Sequence, residues 1–313
     1  MLIGMIQIIT PENLSVLRPL IENYLKHIGD SDFFELPLEQ QLKWYSEGIT
    51  EGTLLILASY DQSGNSNGFL VYNMNQHRSP IIFANGDFKV EKTLFDNLFR
   101  RFSNTVPYLL FDSGYPIPWI SRELSNYLVS SGFTEYPREY MRLEQLREVH
   151  QIRLRDEFEF VQCSESLLEL VSRMVLRCVE GTDDQAIFPF VYGTYESILK
   201  FHTRLFKGSF GTHKESYSWV LMNGEKPVGS SFMITDGGDT GHVMHLAIDP
   251  NYRRQGLGRL LLVHSIKNLY NVEDALKYVD LAVTERNPAM HLYKSLGFKR
   301  VNDMSSYVWS ARK

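Results

Sequence analysis

Residues 253–259 read Arg-Arg-Gln-Gly-Leu-Gly-Arg and stand between an apolar run, 242–248, and a leucine-rich stretch, 256–270. Gly256 and Gly258 remove side chains where an apolar strand hands over to a helix, so the backbone there can approach a ligand closely. The first N–H groups of a helix have no partner within it, and the helix dipole favours an anion beside them. Arg253, Arg254 and Arg259 add positive charge around the turn. A diphosphate suits such a site. The same residues also suit a tight strand–helix turn with exposed arginines. Neither common nucleotide fingerprint is complete: there is no G-x-x-x-x-G-K-[ST] loop, and G-x-G-x-x-G fails because position 261 is leucine.

The elements that must position this turn recur along the chain. In the second half, 158–163 reads as a strand and 164–181 as a helix with Ser164 as its cap. Residues 217–222 and 227–235 read as a hairpin around Asn-Gly-Glu-Lys. Strand 242–248, helix 256–270, strand 278–284, helix 288–295 and a strand-like tail 298–309 follow. The first half shows the same order. Strand 4–10 precedes a helix over 11–29; 54–60 and 69–74 form a hairpin; helix 91–103, strand 108–113, helix 120–131 and strand 138–143 come next. Both halves place Ser-x-Gly-Phe, at 130–133 or 295–298, between a helix and a last strand. Two copies of one α/β fold explain this order. The charged stretch 144–157 is the expected connector.

Composition bounds the function. The chain has 313 residues, 43% hydrophobic and 22% charged, which accommodates two ordinary globular domains without staples. Cys163 and Cys178 are its only cysteines, too few for a disulfide framework or a thiolate zinc site. The net charge of -5 argues against a general nucleic-acid surface. The apolar start is short and lacks a basic leader, so it reads as a strand rather than a signal peptide. No run reaches the ~18 apolar residues of a transmembrane helix. A cytoplasmic protein is expected, without membrane or nucleic-acid partners.

Arg-x-x-Gly-x-Gly at 253–258 resembles the [Arg/Gln]-x-x-Gly-x-[Gly/Ala] signature of the GCN5-related N-acetyltransferases, the GNAT superfamily. Residues 246–262 resemble that family's central motif, and 284–298 its final motif at a normal distance downstream. The resemblance implies an α/β fold of two tandem GNAT-like acyl-CoA N-acyltransferase domains. Each would be a mixed, mostly antiparallel sheet flanked by helices, with a splayed parallel strand pair. The expected division is a degenerate domain, 1–145, a connector, 146–156, and a catalytic domain, 157–313. The layout resembles tandem members such as mycothiol synthase.

The resemblance also implies an activity: transfer of an acetyl group from acetyl-CoA, as cosubstrate and without a metal, to a primary amine attacking directly within a ternary complex. The diphosphate would rest on N–H groups of Arg254, Gln255, Gly256, Leu257, Gly258 and Arg259, with Arg253 holding the turn or meeting the phosphates. Leu246, Ala247 and Ile248 would pair with the pantetheine arm, and the N–H near Leu246 would polarise the thioester carbonyl. Asn287 matches the asparagine that contacts pantetheine, with Arg286 sharing its place. Tyr293 matches the general acid that protonates the leaving thiolate; its position alone also fits a core tyrosine. His245 is the candidate base, with His242 and Glu285 as competitors. The first half has no such turn, only Gly86 with Lys89 and Lys92 nearby, and Leu128 stands opposite Tyr293. Glu180, Asp183 and Asp184 suit a small, cationic amine, and Phe188, Phe190, Tyr192 and Tyr195 suit an apolar wall. The same stretch also suits an acidic loop before a packed helix. A monomer or homodimer is compatible with this layout. The alternatives are a CoA-binding sensor or structural module without turnover, and transfer of a longer acyl group.

Overall fold

The computed structural model describes residues 5–28, 37–114, 120–144 and 154–311, so residues 146–153 of the expected connector lie outside the described residues. Two compact units form: Met1–Arg138 with Asn302–Lys313, and Glu139–Val301.

In the first unit, β1 (Met5–Ile8), a 3₁₀ turn (Pro11–Leu17), α1 (Arg18–Ile28) and α2 (Leu38–Thr50) precede the central strands. The expected single helix over 11–29 thus starts as 3₁₀, with proline in its first turn. β2 (Leu54–Tyr60), β3 (Ser66–Asn73) and β4 (Arg78–Phe83) extend the antiparallel ladder begun by β1. After α3 (Phe88–Phe102), β5 (Tyr108–Gly114) pairs parallel with β4, and α4 (Arg122–Ser130) follows. Strand side chains alternate between faces. Ile56 and Ala58 pack with Ile21 and Tyr24 of α1 and Tyr45 of α2. Leu57 packs on the other side with Leu94 and Phe95 of α3 and Leu128 of α4. Burial on both faces is why β2 reads as a nearly unbroken apolar run.

The second unit repeats this plan. β6 (Thr134–Leu143) leads, past the undescribed stretch, to β7 (Phe158–Gln162), α5 (Leu168–Val179), α6 (Asp183–Ile187), α7 (Pro189–Tyr192) and α8 (Tyr195–Phe206). Ser164 stands at the cap position of the 3₁₀ turn before α5 but makes no side-chain capping bond there. Its hydroxyl pairs instead with Ser166 at 2.8 Å. β8 (Trp219–Asn223), β9 (Lys226–Thr235) and β10 (Thr240–Ile248) continue antiparallel from β7. α9 (Leu257–Val272) then leads to β11 (Tyr278–Thr284), parallel to β10, and to α10 (Ala289–Leu296).

The last strand, β12 (Lys299–Ser310), returns to the first unit: Met304 to Ser310 pair antiparallel with Gly114 to Tyr108 of β5. β6 conversely stands beside β11. There Arg142 donates through Nε and Nη2 to Asp280 at 2.9 and 2.7 Å, and the Tyr140 hydroxyl donates to it at 2.9 Å. The chain crosses between units inside β6 and again inside β12. Each unit is therefore completed by strand residues from the opposite half of the sequence, a division that differs from one at 145 and 157.

The pairing of β10 with β11 positions the site. Registered pairs run from Thr240↔Tyr278 to His242↔Asp280 and then stop. On its other edge β10 stays with β9 to Ile248, but the register shifts between Val243 and His245. A bulge of this kind bends a strand and redirects its edge. From Met244 onward β10 keeps one ladder and leaves the side toward β11 open.

Candidate functional site

The open edge leads into a turn built by a buried carboxylate. Asp249 accepts from the Asn251 N–H at 3.0 Å and from Arg177 Nη2 at 2.9 Å. Burial pushes its carboxyl up, but the Arg177 guanidinium and the Asn251 N–H outweigh burial and hold it below its ordinary value. Arg253 donates to the carbonyls of Ile248 at 3.0 Å and Cys178 at 2.9 Å, tying the turn to β10 and α5. Arg259 reaches Ser295 at the end of α10, 3.1 Å away. Gln255 accepts a bond from Arg155. Asp249 and Arg177 were not among the expected site residues. The Asp249-Pro250 dipeptide carries a turn signal, but nothing local marks Arg177 as its partner.

The turn then winds in an unusual sense. Arg254 has φ 60° and Gly256 φ 79°. A left-handed φ on a non-glycine residue costs about 1–3 kcal/mol, and such strain gathers at ligand clamps. Gly256 caps α9 without any side-chain bond. Among the described residues none accepts a hydrogen bond from the backbone N–H groups of residues 254–259. A Cβ on Gly258 would lie 3.4 Å from Ile248 Cγ1 and 3.8 Å from Leu292 Cδ2, so this glycine sits where β10, α9 and α10 meet. A run of unbonded N–H groups on a bare helix start can hold a diphosphate.

α10 presents the second group. Its Tyr293 is 7% exposed and shares a buried cluster with Leu246 and Val243 of β10 and Leu292. Burial, and secondarily the Asp184 carboxylate, hold its phenol well above the usual tyrosine range. It therefore stays protonated at any physiological pH. The Tyr293 hydroxyl has no hydrogen-bond partner among the described residues. Asn287 stands two residues before the first residue of α10, its Oδ1 accepting from the Ala289 N–H at 2.9 Å, while its Nδ2 donates to Asp184 at 3.3 Å. Arg286 pairs with Asp183 at 3.2 Å.

His245 sits elsewhere. Its ring lies 5.4 Å from that of His202 and 5.6 Å from that of Phe232. Nε2 pairs with Ser230 Oγ at 3.0 Å. Burial pushes its pKa down to about 4. His242 is also buried, opposite Asp280 in the last registered pair. The structure therefore brings together the 253–259 turn, Leu246, Ile248 and Tyr293, and leaves His245 in the layer under α8. Cys163 and Cys178 are buried thiols pushed up to about 12 and about 11. Among the described residues no group of three or more His, Cys, Asp or Glu could hold a metal ion. No described helix is long and apolar enough to cross a membrane.

The corresponding helix start of the first unit is capped by a carboxylate of its own. Asp87 caps α3 and accepts from the N–H groups of Lys89 and Val90 at 2.9 and 3.3 Å. Glu91, 1% exposed, accepts from the N–H and hydroxyl of Ser121, the cap of α4. The helix start that is bare in α9 is closed in α3.

Residues 214–300 match the family model of the acetyltransferase (GNAT) domain. Over 70 residues, 21% of this chain, the sequence is 40% identical to an N-alpha-acetyltransferase of Sulfurisphaera tokodaii, covering 40% of that protein. Over 68 residues it is 41% identical to a mycothiol acetyltransferase of Thermobifida fusca, covering 20% of it. The chain thus spans less than half the length of these curated relatives. A solved GCN5-related N-acetyltransferase from Sphaerobacter thermophilus aligns over 99% of this chain and 96% of its own, with TM-score 0.67 and 13% identity. The chain has the GNAT-superfamily acetyltransferase fold.

Proposed function

We propose that this chain is an acyl-CoA-dependent N-acyltransferase that uses acetyl-CoA, with one active site, in the unit Glu139–Val301. The observation that carries this reading is the row of unbonded N–H groups at 254–259, beside the open edge of β10 and the buried phenol of Tyr293. The diphosphate rests on that row. Leu246, Ala247 and Ile248 offer backbone groups to the pantetheine arm along the edge facing β11, and the N–H near Leu246 polarises the thioester carbonyl. Arg253 is a positioning residue, since both of its bonds go to carbonyls that fix the turn.

The amine nitrogen attacks the thioester carbon, forming the N–C bond. The C–S pair leaves with sulfur, and Tyr293 gives its proton to the thiolate. The excess proton on nitrogen passes to solvent, and the phenolate recovers a proton from solvent. His245 is a poor base here: its pKa of about 4 and its bond to Ser230 leave it neutral and engaged. We assign the first proton transfer to water.

The two units form a tandem pair of GNAT-like domains in which the first has lost its cofactor site. Asp87 takes the N–H groups that a phosphate needs, and Leu128 occupies the place of Tyr293. The test is thiol release from acetyl-CoA across a panel of amines, with mass spectrometry of the product. An α-amino group is the first acceptor to try, given the relative named an N-alpha-acetyltransferase. Absence of thiol release and of acetylated product with every amine overturns the reading.

A further inference from the structure

The last turn of α5 and the turn before α9 exchange two arginines. α5 ends at Val179, and the last carbonyls of a helix have no partner within it. One of them, on Cys178, accepts from Arg253 Nη2 at 2.9 Å, so a residue of the phosphate turn closes the helix end. In the other direction, Arg177 of α5 donates through Nη2 to the Asp249 carboxylate at 2.9 Å. The Asp249 side chain is 1% exposed, and a carboxylate buried to that degree is costly without a cation or donors. Arg177 Nη1 donates to the carbonyl of Arg173, one helical turn back, at 3.2 Å. Each segment thus supplies what the other lacks.

This clasp fixes the residues that lead into the strained part of the turn. The Asp249 N–H donates to the Val228 carbonyl of β9 at 2.9 Å, and the Asp249 carbonyl accepts from the Tyr252 N–H at 2.8 Å. Its carboxylate takes the Asn251 N–H as well. Arg253 then bonds the Ile248 carbonyl. The next residue, Arg254, is the one with φ 60°. A non-glycine residue keeps that conformation only where its surroundings over-determine it. Here two of the contacts that do so come from α5, far from the turn in sequence.

Resting on the acyl-CoA reading above, we propose that Arg177 is a positioning residue for the cofactor: through Asp249 it holds residues 254–259 in the conformation that presents their N–H groups to the diphosphate. Arg177 touches neither cofactor nor acceptor in this scheme. Its removal lets Arg254 relax to a right-handed conformation, and binding must then restore the left-handed one. The effect falls on affinity for CoA and its thioesters, and not on the chemical step or on the amine.

The experiment compares wild type, R177A, R177K, D249N and R177A/D249N. CoA affinity is measured by titration calorimetry, and KM and kcat with acetyl-CoA and an amine that wild type acetylates. R177A should weaken CoA binding by about 10- to 100-fold, about 1.4–2.8 kcal/mol, the range set by one relaxed left-handed residue. KM for acetyl-CoA should rise by a similar factor, while kcat at saturating acetyl-CoA and KM for the amine stay within about threefold. R177K keeps a cation for Asp249 and should recover part of the loss. The double variant should lose less than the sum of the two single losses, because Arg177 acts through Asp249. CoA affinity of folded R177A within about twofold of wild type overturns the proposal. So do single losses that add in full, and so does a fall in kcat with KM for acetyl-CoA unchanged, the mark of a merely structural role. Where R177A does not fold, R177A/D249N, which removes both charges together, takes its place, and wild-type affinity in that variant overturns the proposal. Each of these results leaves CoA binding by wild type standing. A wild type that binds no CoA refutes the acyl-CoA reading and this inference with it.

Discussion

Gly258 allows binding to be tested apart from folding. It is the second residue of α9, with φ in the helical range, and the space beside it is known: a Cβ would meet Ile248 at 3.4 Å and Leu292 at 3.8 Å. These are ordinary contacts, so Gly258→Ala should fold, and alanine adds up to about 1 kcal/mol of helix propensity. Gly258→Asp adds a carboxylate in the first turn, where the helix dipole also tolerates it, by about 0.3–1 kcal/mol in its favour. The penalty therefore falls on the ligand. Two unit charges about 5 Å apart repel by about 1 kcal/mol at a solvent-like dielectric and about 3 kcal/mol at an effective value near 20. Against the two charges of a diphosphate the sum is about 2–6 kcal/mol, a loss of at least about 30-fold in affinity. Titration calorimetry with CoA is the assay, alongside thermal melting. Wild type should saturate at one equivalent, because Asp87 already takes the first N–H groups of α3. Unchanged CoA affinity in a folded G258D protein refutes the placement of the diphosphate, and a second equivalent bound near residues 84–92 refutes the closure of the first unit.

Three further outcomes are expected. Arg142→Ala leaves Asp280, whose side chain is wholly buried, without its cation, and should cost about 3–5 kcal/mol and lower the melting temperature by about 10 °C; adding Asp280→Asn should recover part of that loss, and a cost under about 1 kcal/mol would show the pair to be incidental. Tyr293→Phe should keep CoA affinity and lower turnover by about 10²–10⁴-fold, less so for thioesters of more acidic thiols; a ratio to wild type near one throughout would remove the phenol from the chemistry. His245 should make stability depend on acid: its folded pKa, about 4, lies below the unfolded value near 6.5. The unfolded chain therefore binds the extra proton, and stability is full above pH 6.5 and lost as the pH falls toward 4, by roughly 3 kcal/mol from this residue alone. Urea melts at pH 7 and 4.5 should show a smaller difference in His245→Gln than in wild type; an equal difference would contradict the assignment.

Much of this fold is legible where local pattern and burial coincide. The Leu54–Tyr60 run is apolar because both of its faces are covered, and the glycines of the α9 turn mark a left-handed cap and a three-element junction. Two elements lack a plain local signal. α2 fully buries only Gln41, Tyr45 and Gly48, while its apolar residues Leu38, Leu42 and Ile49 pack on the core but stay partly exposed. β4 includes Pro80, which breaks the usual strand signal. The site divides in the same way. Gly256, Gly258 and Tyr293 can be found by spacing, since their neighbours in sequence define them. Asp249 with Arg177, and Asp184 with Thr284 and Asn287, are pairs between distant segments, and neither partner is unusual in its own neighbourhood.

The exchanged strands show the same limit at a larger scale. Residues 138–143 and 298–309 both read as strands, and each follows a helix and a Ser-x-Gly-Phe turn, so the sequence assigns each to the half that precedes it. Strand identity is local, but strand partnership is not: a strand carries its side-chain alternation and no address. Here the address lies in two buried aspartates. Asp280 is answered by Tyr140 and Arg142 of β6. Asp112 of β5 is answered by Ser306 of β12 at 2.8 Å and by Arg78 of β4. A buried carboxylate is costly without such partners, so a β6 left with its own half would leave Asp280 uncompensated, and a β12 left with its own would deprive Asp112 of Ser306. The donors that suit each aspartate thus select the strand beside it. A cut at residue 157 keeps every residue of the proposed site, yet discards the strand that neutralises Asp280 directly below the opening between β10 and β11.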